Sequence, residues 1–209
     1  DRLAFICEDG EMFGEEYTLV ACADYVLSKT PGNTVSNMSS SRALRDVTNL
    51  HNGNYEASAV GEVNVVELMK KNNAIIGGEG NGGIIYPESH YGRDSLVGVA
   101  LFLTHLANKK MSVSALRASY PEYYMSKNKI ELTPQIDVDA ILVAMTEKYK
   151  NEEINTIDGV KIDFATEWVH LRKSNTEPII RIYTEAPTQA EADKLAFRII
   201  DEIKAVAGI

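Results

Sequence analysis

The sequence VHLRKSNTEPIIRIYT, residues 169–184, consists of two apolar runs separated by a short polar loop. Both runs are rich in β-branched and aromatic residues, which is typical of strands. The pattern therefore predicts a strand, a loop and a second strand. The loop carries two cations, two hydroxyl side chains and an amide side chain.

These loop residues suit a phosphate dianion. Arg172 can offer a planar fork of charge-assisted donors, and the short side chains of Ser174, Asn175 and Thr176 can complete the shell around the anion. The alternative is a solvated hairpin loop in which Arg172 makes only a surface ion pair. Loop chemistry alone does not decide between the two interpretations.

Composition limits the classes of protein to consider. The chain has 209 residues, of which 44% are hydrophobic and 24% charged, so it can hold one large globular domain or two of roughly 100 residues each. A net charge of −9 argues against a nucleic-acid partner. There is no apolar run of transmembrane length, so we expect no membrane partner. Cys7 and Cys22 lack metal-type spacing, which favours reduced thiols and a cytoplasmic location.

The first half alternates strand and helix patterns. Residues 14–119 are predicted to form an α/β domain with a largely parallel sheet. Leu3–Glu8 is expected to be a buried strand, and residues 1–13 are interpreted as a strand segment left over from a preceding domain. The three serines Ser39–Ser41 are expected to cap a helix.

The second half, residues 120–209, shows the order β-α-β-β-β-α. This order predicts a small α+β domain, in which an antiparallel sheet carries the helices on one face. Thr133 and Pro134 are expected to begin its first helix, and a capping box from Thr188 to Glu191 its last. The overall fold class is α/β, with a mixed-sheet domain followed by the α+β domain.

A glycine-rich turn, GGEGNGG at residues 77–83, is the second candidate site. Glu79 and Asn81 are its only side chains able to make polar contacts. A carboxylate beside an amide suits vicinal sugar hydroxyls, because the carboxylate accepts and the amide does either. The alternative is a tight connection between strands with solvated polar residues. A dinucleotide fingerprint does not fit, since a strand follows where a helix should begin.

The polar loop resembles the phosphate-binding loop of the α-D-phosphohexomutases, the family of phosphoglucomutases, phosphomannomutases and phosphoglucosamine mutases. The similarity lies in R-x-S-N-T-E-P followed by I-R-I-Y. It implies phosphate binding by the set Arg172, Ser174, Asn175, Thr176 and Arg181.

The glycine-rich turn resembles the sugar-binding loop of the same family, G-E-x-S-G-H, which implies that Glu79 and Asn81 hold ring hydroxyls. Asn81 stands where serine is usual, and Gly83 stands where many members carry a histidine proposed to help proton transfer. His90 is near enough in sequence to replace that histidine, or it is an ordinary loop residue. Arg93 is either a ligand or a partner of Asp94.

Two shorter segments also resemble the family. V-G-E-V at residues 60–63 is similar to a turn that varies with sugar preference, which implies a sugar-binding role for Gly61, although Glu62 departs from the usual cation or histidine. Asp1 and Arg2 are similar to the end of the family's magnesium loop. One carboxylate cannot supply the oxygen shell of magnesium. We therefore expect Mg²⁺ in the complete enzyme and no cofactor in this chain, with Asp1 as a remnant of the metal site.

The resemblance implies the third and fourth domains of a phosphohexomutase. Such enzymes move a phosphoryl group between the C1 and C6 oxygens of a hexose through a bisphosphate intermediate. The implied partners are a hexose phosphate, a hexose bisphosphate and the N-terminal domains of the same protein. No T-x-S-H-N-P-like phosphoserine segment occurs, so this chain alone is expected to be inactive. The alternatives are a non-catalytic sugar-phosphate-binding or regulatory module and a purely structural α/β pair. Glucose, mannose and glucosamine all remain open as the sugar.

Overall fold

The computed structural model describes residues 1–131, 136–174 and 177–208. The chain divides into two compact units, Asp1–Glu122 and Tyr123–Ile209. Across the described residues, no helix is both long enough and apolar enough to span a bilayer.

The first unit is built around a four-stranded mixed sheet in the order β2-β1-β3-β4. Its elements are α1 Glu15–Lys29, β1 Asn33–Asn37, α2 Ala43–Leu50, β2 Tyr55–Ser58, α3 Glu62–Asn72, β3 Ala74–Glu79, β4 Gly83–Ile85, α4 Ser95–Lys109 and α5 Val113–Ala118. Strand β1 runs parallel to β2 and β3, whereas β4 runs antiparallel to β3. The three residues between β3 and β4 are too few for the crossover that a parallel pair needs.

This topology brings the carboxyl ends of three strands to one edge of the sheet. The ends of β1, β2 and β3 lead into residues 38–42, 59–61 and 80–82, respectively. In open α/β sheets, ligands bind outside the carboxyl ends of the strands. The glycine-rich turn therefore stands at the edge where a ligand site is expected.

The prediction of a buried strand at Leu3–Glu8 was wrong. The segment forms one isolated bridge, Ile6 with Met12, while Arg2 just before it bridges Gly83, and Ile6 is 66% exposed. An aromatic cluster anchors it instead, since the Phe5 ring stacks on Phe102 with 3.7 Å between centroids. The sequence of this segment has a short strand pattern, but none of the described strands pairs with it along a full ladder.

A buried polar cluster joins the helices of the first unit. The carboxylate of Asp24 on α1 lies 2.7 Å from Nε2 of His51 and 3.0 Å from Nε2 of His105, and it accepts a hydrogen bond from Tyr120 at 3.1 Å. Burial alone would raise the pKa of Asp24, but the hydrogen bonds from His105 and His51 prevail and lower it. The cluster provides hydrogen-bond partners for the partly buried carboxylate of Asp24.

The second unit is an antiparallel sheet in the order β5-β9-β8-β7-β6. Its elements are β5 Tyr124–Glu131, α6 Val138–Lys148, β6 Glu153–Asn155, β7 Val160–Asp163, β8 Trp168–Lys173, β9 Ile179–Ala186 and α7 Gln189–Ala207. Four strands follow α6, one more than the order β-α-β-β-β-α contains. The hairpin signal around Asp158 and Gly159 corresponds to β6 and β7, which pair with each other, and β7 continues the sheet by pairing with β8.

Both helices of this unit pack on one face of its sheet, as predicted. Ile141 of α6 and Ile199 of α7 belong to the same buried cluster as Val169, Leu171 and Ile182. These strand residues all project from one face, since side chains alternate along a strand. Residues at the intervening positions, including Arg172 and Arg181, therefore project from the other face.

The helix caps are partly as predicted. The hydroxyl of Thr188 accepts from the backbone N–H of Glu191 at 3.2 Å and donates to the Glu191 carboxylate at 2.8 Å, which confirms Thr188 as the N-cap of α7. Helix α6 begins at Val138, where Asp137 accepts from the N–H of Ala140 at 3.0 Å. Thr133 and Pro134 lie outside the described residues.

Candidate sugar and phosphate sites

Glu79 ends β3 with its carboxylate almost completely buried. The residue is 5% exposed, and its Oε1 accepts from the side-chain amide of Asn37 at 3.0 Å. Its Oε2 accepts from Nη1 of Arg93 at 3.0 Å. A buried carboxylate requires such partners, and together they fix its orientation at the ligand-binding edge of the sheet.

Arg93 joins three carboxylates that are far apart in sequence. Besides Glu79, its Nη2 lies 2.7 Å from Oδ2 of Asp1, and its Nε lies 2.9 Å from Oε2 of Glu62. The backbone N–H of Arg93 also donates to Oε1 of Glu62 at 3.0 Å. The suggestion that Arg93 pairs with Asp94 was wrong. The sequence did not predict the contacts of Arg93 with the three carboxylates. They form because the backbone of Arg93 pairs with Ile85 of β4, which brings distant parts of the chain together.

Asp94 pairs instead with His90. Nε2 of His90 lies 3.0 Å from Oδ2 of Asp94, and the other carboxylate oxygen caps α4 by accepting from the N–H of Leu96 at 2.8 Å. The hydrogen bond from His90, together with these backbone donors, lowers the pKa of Asp94. His90 is half exposed. None of the contacts described for it reaches Glu79, so the idea that His90 replaces the family histidine stays a prediction.

The position of that family histidine is occupied by another side chain. A β-carbon built on Gly83 would lie 2.5 Å from Cδ of Arg93. A larger residue at position 83 would therefore displace Arg93 from its carboxylates. The glycine at 83 and the arginine at 93 are complementary in space.

The serines after β1 form part of the site. The hydroxyl of Ser40 donates to Oδ1 of Asn37 at 3.2 Å and accepts from the N–H of Gly80 at 3.0 Å. The prediction that a serine caps the helix was wrong, since α2 has Arg42 at its N-cap position without a side-chain cap bond. Ser41 lies one residue earlier, and its Oγ accepts from the N–H of Ala43 at 3.1 Å. Sequence reasoning missed Asn37 and Ser40, although a run of polar residues directly after a buried strand was a usable signal.

Asn81 and Gly61 shape the neighbouring turns. Oδ1 of Asn81 accepts from the N–H of Gly83 at 3.2 Å, which closes the turn between β3 and β4. Gly61 has φ 124° and precedes the first residue of α3. This conformation favours glycine, and it places Glu62 beside Arg93. Asn81 and Gly61 thus lie at the same edge of the sheet as Glu79. Their contribution there is to the backbone conformation of the two turns beside it.

The second unit places the two predicted arginines side by side. Arg172 on β8 and Arg181 on β9 are direct cross-strand partners. Nη2 of Arg181 donates to Glu177 at 2.8 Å, whereas Nε of Arg172 lies 3.9 Å from a carboxylate oxygen of Asp158. The N–H of Ser174 donates to the carbonyl of Ile179 at 3.0 Å at the base of the loop. Asn175 and Thr176 lie outside the described residues.

The described residues do not offer a magnesium site. Asp1, whose resemblance to the end of a magnesium loop stays a prediction, is paired with Arg93 at 2.7 Å. In the described ranges, no group of three or more histidine, cysteine, aspartate and glutamate side chains is arranged to hold a metal ion. Magnesium requires a nearly octahedral oxygen shell, which one engaged carboxylate does not provide.

Two family models match consecutive parts of the chain. The model of the phosphoglucomutase/phosphomannomutase α/β/α domain III matches residues 14–124, and the model of the C-terminal domain matches residues 129–202. The chain belongs to the phosphoglucomutase/phosphomannomutase family. Together the two matches cover most of both units.

Relatives in this family extend well beyond the present chain. A phosphoglucomutase/phosphomannomutase of Thermococcus kodakarensis is 33% identical over an alignment of 206 residues that covers 97% of this chain and 45% of the relative. A phosphoglucosamine/phosphogalactosamine mutase of Sulfurisphaera tokodaii is 33% identical over an alignment of 211 residues that covers 99% of this chain and 46% of the relative. The chain thus spans under half the length of these relatives.

A solved structure shows the same fold. The crystal structure of a phosphoglucomutase/phosphomannomutase family protein from Burkholderia thailandensis superposes with a TM-score of 0.81 at 22% identity. The match covers 98% of this chain and 44% of that protein.

Proposed function

We propose that this chain supplies sugar and phosphate binding to a phosphohexomutase. The complete protein would move a phosphoryl group between the C1 and C6 oxygens of a hexose phosphate through a hexose bisphosphate. Its N-terminal domains would provide the phosphoserine and the Mg²⁺ site, and it would act in the cytoplasm. The observation that carries the proposal is the pair Arg172 and Arg181, directly opposite each other on β8 and β9 at the base of the R-x-S-N-T-E-P loop.

The arginine pair suits the phosphate that is not reacting. Two guanidinium groups on one sheet face can offer several charge-assisted N–H donors to a dianion, and Ser174 begins the loop two residues after Arg172. Asn175 and Thr176 would complete the shell. Binding energy at a remote phosphate would orient the sugar, which is how an enzyme that mainly positions its reactants accelerates phosphoryl transfer.

The carboxylate of Glu79 would accept hydrogen bonds from ring hydroxyls. Asn37 and Arg93 each use one position on it. A carboxylate offers about four lone-pair sites, so further acceptor capacity remains after these two contacts. Asn81 and Gly61 would shape the surface beside it and so affect which sugar binds.

A titration followed by NMR tests the proposal. We expect inorganic phosphate to shift amide signals of residues 172–181, and glucose 6-phosphate to shift these and residues 79–83 as well. Arg172→Gln should abolish the first set of shifts, whereas Arg45→Gln, at a surface position of α2, should leave both sets intact. If phosphate shifts the signals of Arg172→Gln as strongly as those of the wild type, the phosphate assignment is wrong. Tight, micromolar binding of the sugar phosphate by this chain alone would instead favour a non-catalytic binding module.

A further inference from the structure

Three cations of the second unit lie in one row across neighbouring strands. Lys129 on β5 pairs with Arg181 on β9, and Arg181 pairs with Arg172 on β8. Residues paired across strands share a sheet face, and the flanking Ile130 and Ile180 lie in the core on the opposite face. The three cationic side chains therefore project together from the face without helices. With strands about 4.8 Å apart, the outer Cα atoms of the row are roughly 10 Å from each other.

Such a row is unfavourable without anions. Like charges directly opposite each other on a sheet destabilise the pair. Arg181 forms an ion pair with Glu177 at 2.8 Å, but the ion pairs of Arg172 and Lys129 are longer. Nε of Arg172 is 3.9 Å from Asp158, and Nζ of Lys129 is 3.9 Å from Glu131. The side chains of Lys129 and Glu131 are 58% and 84% exposed, and a pair of this kind contributes little.

The row also lies beside the loop that the proposed function assigns to phosphate. The loop, residues 174–178, starts two residues after Arg172 and ends three residues before Arg181. Lys129, which is level with Arg181, is on the strand next to it. The flexible stem of a lysine allows its ammonium group to approach an anion held by the neighbouring arginine.

We propose that Lys129 is a third cationic contact for the phosphate, and that the row selects a doubly charged phosphate ester over a singly charged anion. This inference rests on the proposed function and adds a residue and a charge preference to it. Lys129 lies 43 positions before Arg172 and outside both sequence motifs. Only the strand register brings it to the site.

The test compares two esters of the same sugar on the 209-residue chain by calorimetry. Glucose 6-phosphate is almost fully dianionic at about pH 8, because its second pKa is near 6, whereas glucose 6-sulfate carries one charge. We expect Lys129→Gln to weaken phosphate-ester binding by about three- to tenfold and to change sulfate-ester binding by less than about twofold. Lys129→Arg should restore most of the phosphate-ester affinity.

Lys127→Gln is the matched control. Lys127 is on the same strand and face, but it lies opposite Tyr183, with its Nζ 5.7 Å from the centre of that ring. We expect binding of both esters to stay at the wild-type level. Equal losses for Lys127→Gln and Lys129→Gln would overturn the inference, because they would show general attraction by surface charge.

The remaining outcomes separate the inference from the proposed function. If Arg172→Gln weakens phosphate-ester binding and Lys129→Gln does not, Lys129 is not a contact and the phosphate site stands. If neither variant changes binding, or if the wild-type chain binds no phosphate ester, the proposed function fails and the inference fails with it. Circular dichroism and the fluorescence of Trp168 verify that each variant is folded.

Discussion

At the scale of single residues, Arg93 is the residue of the first unit that contacts three carboxylates. Its guanidinium lies within 3.0 Å of the carboxylates of Asp1, Glu62 and Glu79, which come from three separate segments of the sequence. Removing one partner of a buried ion pair leaves the other charge buried and unsatisfied. Arg93 therefore serves first to hold the carboxylate of Glu79 at the sheet edge.

We expect Arg93→Met to destabilise the first unit by about 2–4 kcal/mol, because Glu79 would lose its only described cationic partner in a buried environment. Urea unfolding followed by circular dichroism measures the loss. Arg45→Met is the control, since Arg45 makes a surface ion pair with Asp46 at 3.8 Å and should cost no more than about 0.5 kcal/mol. Similar losses for the two variants would show that the Arg93 contacts contribute as little as a surface pair.

His170 gives the second unit a dependence on pH. Its side chain is buried, and its Nε2 lies 2.7 Å from the backbone carbonyl of Asp158. Burial lowers the pKa of His170 from 6.5 to about 4. Between these values the unfolded chain binds a proton that the folded chain does not, so stability falls as pH decreases from about 6.5 towards 4.

The full loss from this group corresponds to roughly 3 kcal/mol. We expect His170→Gln to lose less stability than the wild type between about pH 7.5 and pH 4.5. Trp168 is the only tryptophan of the chain, so its fluorescence during urea unfolding reports on the second unit. The same pH dependence in both proteins would mean that other groups cause it.

At the scale of elements, the sequence predicted structure wherever the signal was local. The helical pattern of residues 62–72 predicts a helix with the bounds that α3 has, because Gly61 and Asn73, both with positive φ, flank the pattern. The N-cap of α7 at Thr188 is likewise a local feature of the sequence. The prediction of a strand at Leu3–Glu8 was wrong, since strand propensity does not indicate whether a neighbouring strand is available for pairing.

In the candidate sites, too, the local motifs were predictable from the sequence and the contacts between distant segments were not. The motifs containing Glu79 and Arg172 could be found from residue types alone. The contacts of Glu79 with Asn37 and Arg93, and the alignment of Lys129 with the two arginines, depend on tertiary packing and strand register. Periodicity in the sequence does not determine register between strands that are distant in the chain.

The docking of the first residues onto the β3–β4 turn makes a prediction about Gly82. This residue has φ 80°, and a β-carbon on it would collide with the backbone carbonyl of Leu3. We expect Gly82→Ala to cost about 2 kcal/mol or more, from backbone strain and steric conflict together. Gly10→Ala is the matched control, because Gly10 has φ 90° but no described atom within 4 Å of an added β-carbon. Its cost should be limited to strain, about 1 kcal/mol.

Thermal unfolding of both variants measures the difference. A larger loss for Gly82→Ala would support close packing of Leu3 against the turn. Equal losses would contradict that contact, and the position of residues 1–13 against the sheet edge would then need revision.

At the scale of the whole molecule, local and total charge have opposite signs. The chain carries a net charge of −9, yet the proposed phosphate site presents three cations in one row. Long-range attraction of an anionic substrate is therefore not expected, and affinity must come from contacts at short range. Binding by this chain should accordingly depend on the identity of single cations.

The last prediction concerns catalysis by the chain alone. We expect no conversion of glucose 1-phosphate to glucose 6-phosphate above the rate of the buffer, even where NMR shows that phosphate binds. Positioning a substrate accelerates a transfer only when the group that donates the phosphoryl is held in the same complex, and no phosphoserine-type segment occurs in the sequence. A coupled assay for glucose 6-phosphate measures the rate, with Arg172→Gln as the control for contaminating mutase. Turnover that disappears in Arg172→Gln would prove that this chain is itself the catalyst, and its phosphoryl donor would then have to be sought among residues outside the two motifs.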